Sequence, residues 1–263
     1  MVFVIAEAGI NHNGDIQEAM RLIVAAKRCG ADSVKFQHFN SQRLWGDDRI
    51  AKYELTFNQL YNLAVHAERN GIEFMCTAFD CQSLEEILPL IKRIKISSGC
   101  LPDCDLLDMA NKSGLPILLS TGMADMWEVR MAVDLVTNLY GPKIDLTVLH
   151  CTSNYPTSLD EVNLRAMEKM ASFIGLPTGF SDHTLGINCA IAAAALGATV
   201  IEKHLTLDRN AEGPDHKASI EPHQFVQMVQ GIREVEQALG DGIKRVQPGE
   251  QALREIWHGR NKP

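Results

Sequence analysis

The sequence predicts an α/β protein, a single (β/α)8 TIM barrel, on three observations. Short apolar runs rich in β-branched residues recur eight times, and each is followed by a longer segment whose apolar residues fall at helical spacing. Glycines stand between several of those segments and the next run. The length of 263 residues is ordinary for such a barrel and sufficient to bury a sizeable core.

In chain order, "VFVIAEA" leads into helical spacing over 16–29, and "DSVKFQ" into 58–70. "EFMCTAF" leads into 84–91, "RIKISS" into 106–112, and "PILLST" into 127–139. "IDLTVLHC" leads into 164–173, "PTGFSD" into 188–196, and "TVIEKHL" into 222–239. The β-branched enrichment of the runs suits strands buried on both faces in a parallel sheet. Gly30, Gly71, Gly114 and Gly197 each follow a helical segment, where a left-handed cap favours glycine. An open doubly wound sheet would more often carry a glycine-rich phosphate turn after its first strand, and "AEAGINHNG" contains no G-x-G-x-x-G. Residues 1–240 are therefore expected to form one catalytic barrel and 241–263 a polar C-terminal tail.

Composition narrows the function classes. The formal charge of −8, without a clustered basic footprint, speaks against nucleic acid as a partner. No run of about 18 apolar residues offers a membrane span, and the N-terminal "VFVIAEAGI" lacks the layout of a secretory signal, so a cytoplasmic location is expected. Seven cysteines with no C-x-x-C pair fit reduced thiols better than a disulfide framework. A zinc site built on Cys100 and Cys104 would need two further ligands at suitable spacing.

A barrel carries its chemistry at the C-terminal ends of its strands, and polar residues gather there in every unit. The ends offer Glu7, Asn11 and His12; Lys35 and Gln37; Thr77; Lys95, Ser97 and Ser98; Ser120 and Thr121; His150, Ser153 and Tyr155; Ser181, Asp182 and His183; and Glu202, Lys203 and His204. Lysines, hydroxyls and turn amides can hold a phosphate, while two histidines with nearby acids can hold a divalent ion. His183 and His204 close the seventh and eighth strands, neighbours in a closed barrel, so both can face one Mn²⁺, Fe²⁺, Zn²⁺ or Co²⁺ acting as a Lewis acid on a carbonyl.

The motifs "IAEAGINHNGD", "SVKFQ", "IKISSG", "ILLSTGM", "LHCTSNYPT", "GFSDHTLG", "IEKHLTLD" and "GPDHKASIEP", in this order over residues 3–240, closely resemble the barrel domain of N-acetylneuraminate (sialic acid) synthases. The resemblance implies a metal-dependent condensation of phosphoenolpyruvate with an open-chain N-acetylhexosamine-type aldehyde, N-acetylmannosamine or a relative. The products would be a nine-carbon 2-keto sugar acid and inorganic phosphate. Carried over to this chain, His183 and His204 would ligate the metal, Mn²⁺ first and Mg²⁺ or Co²⁺ next. Lys35, Thr77, Lys95, Ser98, Ser120, Ser153 and Ser181 would bind phosphoenolpyruvate. Glu7, Gln37, Tyr155 and Asp215 would line the sugar and water side, with Glu7 orienting or deprotonating the water that attacks carbon. Asp182, directly beside His183 in the sequence, is expected to support that ligand. The resemblance also implies a homodimer.

Two departures qualify it. The chain ends at "REIWHGRNKP", near where the family's small antifreeze-like domain begins, so that domain is expected to be absent. Cys100 in "SSGC" stands where the family carries an acidic residue that meets the sugar, and a thiol accepts hydrogen bonds poorly. The acceptor is thus open to the precursors of legionaminic or pseudaminic acid or of a spore-coat sugar. Two other classes compete: a Schiff-base aldolase using Lys95 or Lys203, and a barrel that binds sugar or phosphoenolpyruvate without turning it over.

Overall fold

The eight strands close on themselves in chain order, every neighbouring pair parallel, in a computed structural model that describes residues 1–137 and 144–259. They are β1 (Phe3–Gly9), β2 (Ser33–His38), β3 (Glu73–Ala78), β4 (Ile94–Ile96), β5 (Ile117–Ser120), β6 (Leu146–His150), β7 (Thr178–Asp182) and β8 (Val200–His204). The expected (β/α)8 barrel is therefore the observed one. Around it lie α1 (Ile16–Arg28), α2 (Ser41–Trp45), α3 (Phe57–Arg69), α4 (Cys81–Ile87), α5 (Cys104–Lys112) and α6 (Met126–Thr137). Next come α7 (Arg165–Ile174), α8 (Asn188–Ala195) and α9 (Pro222–Leu239), and α10 (Gln251–Gly259) follows beyond the barrel. Among the described residues, no helix is long and apolar enough to cross a membrane.

Local chemistry accounts for the element ends. Gly30, Gly71, Gly114 and Gly197 all have positive φ, between 66° and 91°, as their positions after helices demand. Helix α4 runs 81–87 where spacing suggested 84–91. Asp80 caps its start by accepting from Ser83 N at 2.7 Å, and Pro89 turns its end into a short 3-10 segment. In the same way Asp103 starts α5 two residues early. Residues 138–139 of the helix expected over 127–139 lie outside the described residues. The stretch between β2 and α3 holds α2 and a 3-10 turn, Ala51–Tyr53, that hydrophobic spacing did not reveal. The tail is not uniformly polar: α10 exposes Leu253, Ile256 and Trp257 at helical spacing.

Strand parity decides which side chains enter the barrel. Ile5, Met75, Leu118, Leu149 and Val200 form a dry inner layer. Two residues further along their strands, the same face presents Glu7, Thr77, Ser120, Cys151 and Glu202. The opposite phase packs against the helices in the main core, with Phe36, Phe180 and Ile201 fully covered. Gly179 lies in this inner wall. A Cβ there would come within 2.5 Å of the Val200 carbonyl oxygen and 2.6 Å of Leu149 Cδ2, both held in the barrel. Gly179→Ala should therefore lower stability by about 1–3 kcal/mol, read as a lower urea midpoint at unchanged m-value.

Candidate functional site

Above the dry layer, one cavity of about 540 Å³ opens at the C-terminal ends of the strands. Glu7, Lys35, Gln37, Thr77, Lys95, Ser98, Ser120, Ser153, Tyr155, Ser181, His183, His204 and Asp215 all line it. Glu7 of β1 pairs in register with Lys35 of β2 and His204 of β8, Thr77 of β3 with Lys95 of β4, and Ser181 of β7 with Glu202 of β8.

The floor is a buried charge network. Lys35 Nζ lies 3.1 Å from Glu7 Oε2 and 3.5 Å from Glu202 Oε2, and it donates to Thr77 Oγ1 at 2.8 Å. Lys95 Nζ is 3.6 Å from Glu202 Oε1 and donates to the Ile96 carbonyl at 3.4 Å. Glu202 also accepts from Ser181 Oγ at 3.0 Å, and Glu7 accepts from Gln37 Nε2 at 2.9 Å. Burial raises the Glu7 pKa against the pull of Lys35, with the Glu202 charge adding to the rise. Burial also works to raise Glu202, but Lys35 and Lys95 outweigh it and hold its carboxyl down at about 2. Lys95 is lowered by burial, only partly offset by Glu202, whereas Lys35, between two carboxylates, is raised despite burial. Lys95 is thus the under-compensated cation, poised for an anionic ligand.

Opposite the lysines stand the two histidines, their ring centroids 5.6 Å apart. His183 Nδ1 donates to the Thr152 carbonyl at 2.7 Å, which leaves its Nε2 lone pair 3.4 Å from Ser181 Oγ. Tyr155 packs on His183 with centroids 4.1 Å apart. His204 Nδ1 is buried without a hydrogen-bond partner and lies 3.8 Å from Asp215 Oδ2. Burial lowers both histidines, His183 to about 3 with His204 adding to the shift, so both are neutral bases near pH 7. Two neutral imidazoles, one with an orphaned buried nitrogen, and a nearby carboxylate form a donor set that fits a divalent cation. Among the described residues, no group of three His, Cys, Asp or Glu forms a metal site by itself.

Several strand-end residues point elsewhere. Asn11 donates to the Leu205 carbonyl and to Ser219, His12 accepts from Gly14 N, Thr121 donates to the Leu149 carbonyl, and His150 donates to the Val162 carbonyl. Asp182 and Lys203 are in the outward strand phase. Their ion pair, at 2.9 Å, is fully buried between sheet and helices, with Asp182 also accepting from Thr184. This corrects the expectation that Asp182 supports His183 and removes Lys203 as a Schiff-base candidate. Lys203→Met should cost about 3–5 kcal/mol by stranding Asp182, and thermal unfolding of the variant measures it.

The sequence reading listed Glu202 only as a strand-end residue and gave it no role in the site, and it passed over the lining residues Cys151, Leu44, Trp45, Phe79, Asp103 and Met123. Parity could have found Glu202, since it lies two residues before His204 on the same face. Gly122 N donates to Ser98 Oγ at 2.9 Å and Cys151 Sγ at 3.1 Å, and a Cβ at Gly122 would come within 2.2 Å of Ser153 Oγ. Cys100 is a buried thiol, accepting from Ser97 Oγ at 3.3 Å, and Cys104 is exposed.

The model of the NeuB family matches residues 22–244. The N,N'-diacetyllegionaminic acid synthase of Legionella pneumophila is 43% identical, with the match covering 97% of this chain and 78% of that protein. The human N-acetylneuraminate-9-phosphate synthase is 36% identical over 96% of this chain and 75% of its own. Among solved structures, the N-acetylneuraminic acid synthetase of Leptospira borgpetersenii, in complex with citrate, superposes with a TM-score of 0.91. It shares 33% identity, with 99% of this chain and 93% of that chain covered.

Proposed function

Because the chain belongs to the NeuB family, whose relatives named above are sugar-acid synthases, we propose that it joins phosphoenolpyruvate to an amino-sugar aldehyde. The products are a nine-carbon 2-keto sugar acid and phosphate. One observation carries the reading: two buried lysines face two neutral histidines across a single cavity.

Lys95 and Lys35 meet the negative charge of phosphoenolpyruvate, and the hydroxyls of Ser98, Ser120, Ser153 and Ser181 orient it. His183 and His204 would hold a divalent cation, Mn²⁺ in first place, which supplies Lewis acidity to the aldehyde oxygen. The enol carbon attacks the aldehyde carbon and leaves positive charge on the carbon bearing phosphate. Water adds there, one proton passing to Glu7 while the oxygen of the former aldehyde takes up a proton to become a hydroxyl; the hydroxyl on the tetrahedral carbon then gives its proton to the phosphate as the carbon–oxygen bond to phosphate breaks, leaving the ketone. Burial moves the Glu7 pKa in the direction a general base requires, and Gln37 fixes its carboxylate.

Phosphate release from phosphoenolpyruvate against a panel of hexosamine aldehydes, with and without Mn²⁺, tests this directly. Release is expected only with acceptor and metal together. Its absence with every acceptor would sink the proposal.

A further inference from the structure

We infer that Cys151 is a positioning residue for the phosphoenolpyruvate site, its thiol holding the Ser98 oxygen so that the Ser98 proton is free for the ligand. The inference rests on the condensation proposed above and adds a residue to its anion-binding wall.

Cys151 lies one residue beyond β6, in the phase of Leu149, and is 5% exposed on the cavity wall. Its Sγ accepts from Gly122 N at 3.1 Å and lies 3.1 Å from Ser98 Oγ, to which Gly122 N also donates. Sulfur, hydroxyl and amide thus close a triangle between the ends of β4, β5 and β6. The Cβ position of Gly122 that Ser153 Oγ crowds also lies 3.0 Å from Ser98 Oγ and 3.2 Å from Cys151 Sγ. Ser98 and Ser153 therefore gather with the thiol around one backbone carbon. Thr121 pins the base of the triangle, its N and Oγ1 donating to the Leu149 carbonyl at 3.1 and 3.0 Å.

The hydrogens of this triangle have two arrangements. Gly122 N–H is shared by Ser98 Oγ and Cys151 Sγ, and one more hydrogen lies between those two atoms. Either Ser98 donates it to sulfur or Cys151 donates it to oxygen. Sulfur is a weak acceptor, whereas an ionised phosphoenolpyruvate oxygen is a strong one. An anion at this wall therefore draws the Ser98 proton to itself, and the thiol proton turns to the Ser98 oxygen in its place. Two bond rotations accomplish the exchange, and every proton stays on its own heavy atom. Another hydroxyl of the cavity also lacks an acceptor: Ser120 Oγ, on a residue 2% exposed, has no hydrogen-bond partner among the described residues.

Titration calorimetry of phosphoenolpyruvate onto the parent chain, Cys151→Ala and Cys151→Ser tests this, alongside steady-state kinetics with Mn²⁺ and the best acceptor of the panel above. Cys151→Ala should weaken phosphoenolpyruvate binding and raise its KM about 10-fold, the scale of one hydrogen bond to a charged group, while the acceptor KM stays within about twofold. Cys151→Ser restores a donor and should return binding to within about threefold of the parent. In a Ser98→Ala background, Cys151→Ala should add less than about twofold, because the thiol acts through the hydroxyl that is gone. Parent-like binding in Cys151→Ala, equal losses in Cys151→Ala and Cys151→Ser, or additive losses in the double variant overturn the inference. Phosphoenolpyruvate binding with no phosphate release from any acceptor removes the condensation alone, since the calorimetry needs no turnover. No binding by the parent chain removes both.

Discussion

His183→Ala and His204→Ala are each expected to lower phosphate release by on the order of 10³-fold or more at saturating Mn²⁺, the scale on which charge stabilisation in a dry site acts. Each imidazole is buried and neutral, so its lone pair is available without competition from a proton near pH 7. With the two rings as the proposed cation ligands, losing one would leave the other without its partner donor and would withdraw the Lewis acidity that the cation would supply at the aldehyde oxygen. Neither ring carries the fold. The His183 side chain contributes one hydrogen bond to a loop carbonyl, and His204 Nδ1 has no hydrogen-bond partner, so far-UV circular dichroism should stay that of the parent chain. Free Mn²⁺ measured by electron paramagnetic resonance supplies a readout independent of turnover. Retention of tight Mn²⁺ binding in the double variant would reject the two histidines as ligands.

The second large effect separates two lysines that look equivalent on paper. Lys95→Met should raise the phosphoenolpyruvate KM about 10²-fold, the loss that follows when one partner of a buried charge contact is truncated. Its fold should survive, because Glu202 keeps Lys35 and Ser181. Lys35→Met should instead cost about 3–5 kcal/mol of stability, since Glu7 and Glu202 would then share the floor with the more distant Lys95 alone. Steady-state kinetics on the first variant and urea unfolding on the second check the pair. Equal effects of both substitutions on stability would contradict the assignment of Lys95 as the under-compensated cation.

Glu202 and Lys203 show how far the sequence reading of the site reached and why it stopped. The reading placed Glu202, Lys203 and His204 together at a strand end, but adjacent residues on a strand face opposite sides. Glu202 and His204 therefore enter the cavity, while Lys203 is buried against Asp182 outside it. Glu7, Lys35, Gln37, Thr77, Lys95, Ser120, Ser181 and His204 fared differently because each occupies the inward phase of its strand, while Ser98, Ser153, Tyr155, His183 and Asp215 line the cavity from the loops beyond the strands. Hydrophobic spacing also passed over α2, since five residues are too few to establish a helical period, yet this helix builds the wall of the cavity mouth.

By itself, the sequence determined the barrel, its strand order and the gathering of polar side chains at one end, because burial periodicity and glycine caps are local signals that survive without coordinates. Only the tertiary structure decided which of those polar groups meet. The Glu202 bridge between Lys35 and Lys95, the orphaned nitrogen of His204 beside Asp215, and the Cys151 contact with Ser98 and Gly122 all join residues from different strands and loops. Their distances follow from barrel closure and register, and no spacing along the chain encodes them.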